Sequence, residues 1–194
     1  MTAGIRPEPD VRDAAVTAIG ESLSDPERFG EVYDLHATAV HRYLSRRAGA
    51  ALADDLTAET FLAAFRGRRR FDLTARTALP WLYGIATNLV RRHRRAEVAQ
   101  YRAMARTGVD PVFADNHADL VADRVVAVAT GTRLSGALAR LTAKERDTLL
   151  LFAWGELNYD DIAAALHIPV GTVRSRLNRA RRRLRATLGD TTNH

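Results

Sequence analysis

The chain of 194 residues contains no cysteine, and this absence removes several kinds of chemistry. Without thiols there are no disulfides, no thiolate metal sites and no direct cysteine-based redox sensing. Histidine does not replace them in a metal site, because His36 and His41 are five residues apart and would not share a helix face. We therefore expect neither a metal nor a cofactor.

Long apolar runs and a targeting signal are also missing. No apolar stretch approaches the roughly 20 residues that a membrane span needs, and the N-terminus lacks a basic segment followed by an apolar one. We expect a cytoplasmic protein without membrane insertion. The sequence has no nucleophile–base pair, glycine-rich phosphate loop or metal cluster either, so we do not expect an enzyme.

The composition is that of a folded protein with an anionic partner. Hydrophobic residues make up 46% and charged residues 27% of the chain, enough apolar material for a core. The formal net charge is +6 and the pI is about 10.4, which favours binding to nucleic acid. Lys144 is the only lysine. A GC-rich genome produces the same preference for arginine, so the arginine count alone identifies no partner.

The segment 141–188 has the pattern of a basic helix-turn-helix. Thr142 and Glu145 have the spacing of a capping box, which predicts a helix start, and Gly155 ends that helix. Asn158 caps a second helix, and a break at His167 precedes a third. The expected core positions of the first two helices are Leu149, Phe152, Ala153, Tyr159, Ile162, Ala163 and Leu166.

The third helix of this segment has two chemically different faces. Its expected core positions are Val173, Leu177, Ala180, Leu184 and Leu188. The opposite face carries Arg174, Ser175, Asn178, Arg181 and Arg182. Guanidinium, hydroxyl and amide groups suit the base edges of a major groove, and flanking arginines suit phosphates. The alternative is an arginine-rich helix whose charged face is merely solvated.

Helical periodicity elsewhere predicts an all-α fold of two small domains joined by a flexible linker. We expect a mobile N-terminal extension over residues 1–25, with a short helix around 11–19, and a first domain over 26–96. A linker over 97–119, acidic after Gly108, leads to a second domain over 120–190. Within the first domain, helices are expected over about 29–44, 51–65 and 81–95.

Two segments of the first domain carry a family resemblance. ADDLTAETFLAAFRGRRRFD followed by LPWLYGIATNLVRRHRR resembles region 2 of bacterial RNA polymerase sigma factors of the extracytoplasmic-function (ECF) class, in the sigma-70 family. The C-terminal GTVRSRLNRARRRL, preceded by LTAKERDTLLL and YDDIAAAL, resembles region 4 of the same class. Both modules occur in the family's order, and the middle domain of larger sigma factors is missing, as the class implies.

The resemblance implies partners and site residues. The partners are core RNA polymerase, through its β′ and β subunits, and promoter DNA, both double-stranded and melted. An anti-sigma factor is a further partner common in the class. Core-polymerase binding falls on Asp55, Leu56 and Glu59, next to Ala58, where the family usually has glutamine. Binding to the minus-ten element falls on Trp81, Tyr83, Asn88, Arg91, Arg92, Arg94 and Arg95. Binding to the minus-thirty-five element falls on Arg174, Ser175, Asn178, Arg179, Arg181 and Arg182.

Physical chemistry supports the minus-ten assignment. Trp81 and Tyr83 offer flat rings on which an unpaired base can stack, although one of the two is expected in the core. Asn88 can both donate to and accept from a base edge. In the family, the preceding loop, here 71–80, captures a base flipped out of the non-template strand. Gly84 and Thr87 stand where many relatives carry arginine, which predicts fewer phosphate contacts on that face.

The implied function is promoter recognition and opening by the bound polymerase, with the protein nucleoid-associated when bound. The acidic linker would thread toward the active-site and RNA-exit path. The alternative is a stand-alone helix-turn-helix regulator that binds an operator as a dimer. That class predicts a receiver or ligand domain at the N-terminus, and the sequence shows no alternating strand–helix pattern there.

Overall fold

The computed structural model describes residues 13–106, 137–138 and 140–189. Its α-helices are α1 (Ala14–Glu21), α2 (Gly30–Ala48), α3 (Ala50–Gly67), α4 (Leu79–Arg106), α5 (Ala143–Trp154), α6 (Tyr159–Leu166) and α7 (Val170–Gly189). Short 3-10 helices precede α2 (Pro26–Phe29) and follow α3 (Arg68–Arg70). The described residues contain no strand, in agreement with the predicted all-α class. None of these helices is long and apolar enough to cross a membrane.

The chain divides into two units, residues 1–90 and 91–194. In the first unit, α2 and α3 form an antiparallel pair joined at Gly49, which has φ +92°. A residue with a side chain is strained in that left-handed region, so glycine fits this junction. The largest fully buried side chains of this unit are Ile19, Val32, Val40, Tyr43, Leu44, Leu82, Tyr83 and Val90.

The short helix predicted in the N-terminal extension is present as α1, but it packs into the first unit, where a mobile extension was predicted. Residues 1–12 lie outside the described part, but Asp13 caps α1, whose apolar face is buried in the first unit. The buried residues of α1 are Ala15, Val16, Ala18 and Ile19. A helix of eight residues is too short to show a sustained apolar period, so the sequence pattern missed its packing.

Helix α4 is longer than predicted. It continues to Arg106, ten residues into the predicted linker, because no glycine or proline occurs between residues 85 and 106. The remainder of the predicted linker, with its aspartates, lies outside the described residues. So do residues 120–136 of the predicted second domain.

In the second unit, the predicted capping box is present at the start of α5. Thr142 Oγ1 accepts from the Glu145 N–H at 3.3 Å, and Glu145 Oε2 accepts from the Thr142 N–H at 3.1 Å. The predicted core face of α5 is wrong: Leu149 is half-buried, while Phe152 and Ala153 are exposed. The buried residues are instead Glu145, Asp147, Thr148, Leu150 and Leu151. The buried face is shifted because two carboxylates on it are paired with arginines, whereas a hydrophobic pattern assigns such residues to solvent.

The predicted break at His167 is a left-handed turn between α6 and α7. His167 has φ 51° and ψ 52°, in the left-handed region, and its N–H donates to the carbonyls of Ala163 and Ala164. Histidine enters this region more readily than most side chains, so the turn forms here without a glycine. Ile162 and Ala163 are buried as predicted, whereas Tyr159 and Leu166 are half-buried.

Helix α7 packs through its predicted apolar face for most of its length. Val173, Leu177 and Ala180 are fully buried and Leu184 is half-buried, but Leu188 is 38% exposed. Burial therefore falls along the helix, and its last turn extends past the core. The prediction that Leu188 lies in the core was wrong.

Candidate functional site

The outer face of α7 presents all the polar side chains that the sequence assigns to it. Arg174, Ser175, Asn178, Arg181 and Arg182 are exposed, and together we call them the basic face. They are held outward because the opposite side of the same helix is buried. Ser175 Oγ donates to the Thr172 carbonyl at 3.0 Å, while its oxygen can still accept from outside.

A groove of about 580 Å³ runs along the basic face. It is lined by Tyr159, Arg174, Asn178, Arg181, Arg182 and Arg185. Four guanidinium groups around one concavity create a positive potential that attracts an anionic ligand. Tyr159 and Arg185 were not among the predicted site residues. Arg185 follows Arg181 by four residues, so helical spacing could have identified it.

Aromatic rings brace one of these arginines. The Arg181 guanidinium carbon lies 5.2 Å from the centre of the Phe152 ring, within the range of a cation–π contact. The Phe152 ring in turn lies 5.8 Å from that of Tyr159. Phe152, which the apolar pattern assigned to the core, therefore supports the basic face from the surface of α5.

Arg179 is directed elsewhere, toward the buried carboxylate of Glu145. Arg183 Nη1 lies 2.8 Å from Glu145 Oε2, and Arg179 Nε lies 3.8 Å from Glu145 Oε1. Burial alone would raise the pKa of Glu145. Hydrogen bonds from Thr142 and the charges of both arginines nevertheless hold the pKa below its ordinary value. Arg179 thus links α7 to α5. The same side chain is also predicted to contact the minus-thirty-five element, so the two roles would share one guanidinium group.

In the first unit, Trp81 is the aromatic residue placed for base stacking. It is half-exposed in the first turn of α4, and its ring centre lies 4.8 Å from that of Phe71 at 49°. Phe71 begins the segment 71–78, which we call the recognition loop. Asp72 accepts from the N–H of Thr74 at 2.9 Å and from its hydroxyl at 2.6 Å, forming a local turn. These hydrogen bonds lower the pKa of Asp72.

Tyr83 does not belong to this surface, and its assignment to DNA binding is wrong. It is 2% exposed, its ring lies 4.9 Å from Tyr43, and its hydroxyl donates to the Ala39 carbonyl at 3.5 Å. Thr87 is on the same inner side, 2.9 Å from the Tyr43 hydroxyl. Position 87 therefore faces the core and would contribute no phosphate contact. The expectation that one of the two aromatics is a core residue is confirmed.

The polar residues further along α4 have different environments. Asn88, Arg92 and Arg94 are exposed. Arg91 is half-buried, and its Nε donates to the Asp147 carboxylate within the second unit, where Asp147 is 1% exposed. Arg91 therefore neutralises a buried acid, which competes with its predicted phosphate contact. The side chain of Arg95 lies outside the described part.

An acidic and apolar stripe lies on α3. Asp55 is exposed, Glu59 is half-exposed and Leu62 is 47% exposed, at steps of four and three residues that place them on one face. Leu56 is 4% exposed and contributes to the core, so its predicted contact with a partner is wrong. Leu62 is the apolar residue that this stripe presents. We call Asp55, Glu59 and Leu62 the α3 stripe.

The described residues include no group of three His, Asp or Glu side chains that could hold a metal ion. The exposed features are instead surfaces of charge and aromatic rings, which suit binding to macromolecules. The basic face of α7 carries arginines, and α4 carries arginines and a half-exposed aromatic ring. The α3 stripe carries two carboxylates beside a leucine.

Family models match both units of the chain. "Sigma-70 region 2" matches residues 32–99, which include the α3 stripe, the recognition loop and the start of α4. "Sigma-70, region 4" matches residues 132–184, which include α5, α6 and the basic face. The two matches occur in the order expected from the sequence motifs.

Curated proteins are similar to this chain over most of its length. The chain is 37% identical over 178 residues to the probable RNA polymerase sigma-C factor of Mycobacterium bovis, covering 87% of this chain and 89% of that protein. It is 30% identical over 172 residues to the ECF RNA polymerase sigma factor SigW of Bacillus subtilis, covering 86% and 91%.

Solved structures share the fold. CnrH, in complex with the cytosolic domain of CnrY, superposes with a TM-score of 0.64 at 22% identity, covering 93% of this chain and 100% of that one. The sigma factor RpoE of Bartonella quintana, in complex with the anti-sigma factor NepR, gives 0.56 at 22% identity, covering 86% and 98%. These likenesses confirm the all-α architecture.

Proposed function

Because the chain belongs to the ECF class of the sigma-70 family and acts as an RNA polymerase sigma factor in transcription initiation, we propose that it recognises promoters through two separate surfaces. The basic face of α7 reads the minus-thirty-five element. The recognition loop and the start of α4 capture the melted minus-ten element. The chain itself catalyses no reaction and acts in the cytoplasm, on the nucleoid.

The basic face carries the minus-thirty-five proposal. An α-helix fits the major groove of B-DNA, which is about 12 Å wide, and a face of exposed polar side chains can reach the base edges there. Arg174 suits a guanine and Asn178 an adenine, since each can form two hydrogen bonds with its base. Arg181, held over Phe152, and Arg182 suit the flanking phosphates.

The minus-ten proposal rests on Trp81 and the loop beside it. Trp81, packed against the tilted ring of Phe71, provides an aromatic surface for an unpaired base. Asn88 provides an amide for a base edge, and the exposed Arg92 and Arg94 provide charge for the strand's phosphates. Tyr83 has no part in this surface, because it is buried.

The α3 stripe is the proposed contact with core polymerase. Carboxylates four residues apart, beside an exposed leucine, suit a partner helix that carries basic and apolar side chains. The family assigns this contact to the coiled coil of the β′ subunit of core polymerase, which also contains the β subunit.

An anti-sigma factor is a further proposed partner. The RpoE structure named above contains one, and CnrH was solved with the cytosolic domain of another protein. A partner that covers the α3 stripe or the basic face would compete with polymerase or DNA. Such a partner would hold the protein inactive.

Transcription in vitro with purified core polymerase on a library of promoters tests the function directly. We expect promoter-specific transcripts only when the protein is present. The variant Arg174→Ala should change which promoters are used, whereas Arg46→Ala, an exposed arginine of α2, should not. DNA binding without polymerase, and no gain in initiation, would instead identify an operator-binding regulator.

A further inference from the structure

Helix α1 and its two cap residues contact the recognition loop and the 3-10 helix that precedes it. At the N-terminal end, the Asp13 N–H donates to the Arg76 carbonyl at 3.0 Å. The Asp13 carboxylate accepts from the Thr77 hydroxyl at 2.8 Å and from the Ala78 N–H at 3.2 Å. Three hydrogen bonds thus fasten the end of the loop to one residue of α1.

The other contacts are made at the C-terminal end of α1, with the 3-10 helix Arg68–Arg70 and with the middle of the recognition loop. The Arg68 Nε donates to the Ser22 carbonyl at 3.3 Å, and its guanidinium lies 3.8 Å from the centre of the Phe65 ring. A Cβ at Gly20 would lie 3.5 Å from a methyl carbon of Leu73, which shows that the loop passes close to the helix. The segment from Arg68 to Ala78 is therefore held along α1.

The two oxygens of Asp13 have separate tasks. Oδ1 caps α1 by accepting from the Ala15 N–H at 3.1 Å. Oδ2 accepts hydrogen bonds from the Thr77 hydroxyl and the Ala78 N–H. It also lies 2.9 Å from His36 Nε2 on α2. Burial alone would raise the pKa of Asp13. Hydrogen bonds from Thr77, Ala15 and Ala78 and the charge of His36 nevertheless hold the pKa below its ordinary value.

We propose that Asp13 is a positioning residue for recognition of the minus-ten strand, acting by holding the recognition loop in the shape that receives an unpaired base. The inference rests on the function proposed above. Asp13 precedes the residues matched by the region 2 family model, which begin at 32. A loop held in place before binding loses less conformational entropy when the strand arrives, so capture is stronger and more selective.

The test uses Asp13→Asn in the full-length chain. Asparagine caps helices as well as aspartate, so α1 keeps its cap, but only one oxygen remains to serve both the cap and the loop. The matched control is Asp25→Asn, which alters the cap of the 3-10 helix at Pro26, where Asp25 Oδ1 accepts from the Glu27 N–H. Thr77→Val removes the hydroxyl from the loop side of the contact.

The first measurement is amide hydrogen exchange in the free protein. Loss of a hydrogen bond to a charged group predicts that the Ala78 amide exchanges at least roughly tenfold faster in Asp13→Asn. Amides within α2 should be unaffected, and Asp25→Asn should leave the Ala78 amide as in wild type. Unchanged exchange at Ala78 in Asp13→Asn would overturn the proposal.

The second measurement is binding of polymerase holoenzyme to single-stranded minus-ten oligonucleotides with each base varied. Asp13→Asn and Thr77→Val should each reduce discrimination between bases while retaining core binding. The double variant should lose little more discrimination than either single variant. Equal losses in Asp25→Asn would indicate general destabilisation and contradict the positioning role. If wild-type holoenzyme shows no base preference, the proposed function fails, and the exchange experiment still reports whether Asp13 holds the loop.

Discussion

At the scale of single residues, burial decides which members of a motif can act outside the protein. Trp81 and Tyr83 are two positions apart, so on a helix they point in different directions, and only Trp81 reaches the surface. On α3, likewise, Leu56 is buried in the core and only Leu62 is exposed. The sequence could identify the motif, but the choice between its members depends on which face of the helix the rest of the core covers.

Trp81→Ala should weaken capture of the minus-ten strand. Loss of one base–aromatic stack predicts a cost of about 1–3 kcal/mol in binding of holoenzyme to a single-stranded minus-ten oligonucleotide. Tyr83→Phe is the control, because it removes only a hydroxyl at 3.5 Å from a carbonyl in the interior. Fluorescence anisotropy of the labelled oligonucleotide measures both. Equal affinity of Trp81→Ala and wild type would exclude stacking on Trp81.

Glu145 makes the stability of the second unit depend on pH. Its pKa is lower in the folded protein than the ordinary value of about 4.3, so its contribution is complete above that value. As the pH falls below about 4.3 the unfolded chain binds the proton first, and stability is lost until the folded carboxylate is protonated too. Acid therefore weakens the links of α5 to Arg183 and Arg179.

Glu145→Gln should lower the free energy of unfolding by about 1 kcal/mol at neutral pH, a modest figure because the arginine side chains are half exposed. The difference from wild type should shrink as the pH falls below the ordinary carboxyl range. Urea unfolding followed by circular dichroism at several pH values measures this. Glu156→Gln, at an exposed position of the same unit, is the control. If the difference in the free energy of unfolding between Glu145→Gln and wild type does not change with pH, the charge of Glu145 is not its origin.

At the scale of helices, local signals predicted ends better than faces. The capping box at Thr142, the helix end at Gly155 and the break at His167 all lie where the sequence indicated, because each depends on a few neighbouring residues. The face of α5 was predicted wrongly, because its buried carboxylates are matched by arginines distant in sequence. The packing of α1 depends on equally distant contacts with the recognition loop.

On α7, the arginines proposed to read DNA differ from the arginine that pairs with Glu145 and holds the fold. Arg174→Ala should cost about 1–3 kcal/mol in binding to the minus-thirty-five element and relax the preference at one base pair. Arg183→Ala should instead lower the unfolding free energy, since Arg183 pairs with Glu145. Binding of holoenzyme to duplexes with single base changes, together with thermal unfolding, distinguishes them. Uniformly weaker binding of Arg174→Ala to every duplex would make Arg174 a phosphate contact.

At the scale of the whole molecule, the three surfaces have charges suited to different partners. The basic face and the exposed arginines of α4 suit nucleic acid, whereas the α3 stripe is acidic in a chain of net charge +6. An acidic surface on a basic protein repels DNA and attracts a basic protein surface. With the roles proposed for these surfaces, this separation of charge would let polymerase and promoter bind the same chain at the same time.

The whole-molecule proposal predicts that polymerase binding can be lost without loss of fold. Asp55→Asn/Glu59→Gln should reduce association with core polymerase in a pull-down and in transcription, because both carboxylates lie on the α3 stripe. The double variant Asp34→Asn/Asp54→Asn removes the same charge from exposed positions of α2 and α3 and serves as control. For both double variants, the free energy of unfolding should lie within roughly 0.5 kcal/mol of the wild-type value, as is usual for surface substitutions. If both double variants lose binding to core polymerase to the same extent, net charge and not the α3 stripe governs the association. If neither loses binding, the α3 stripe is not the contact.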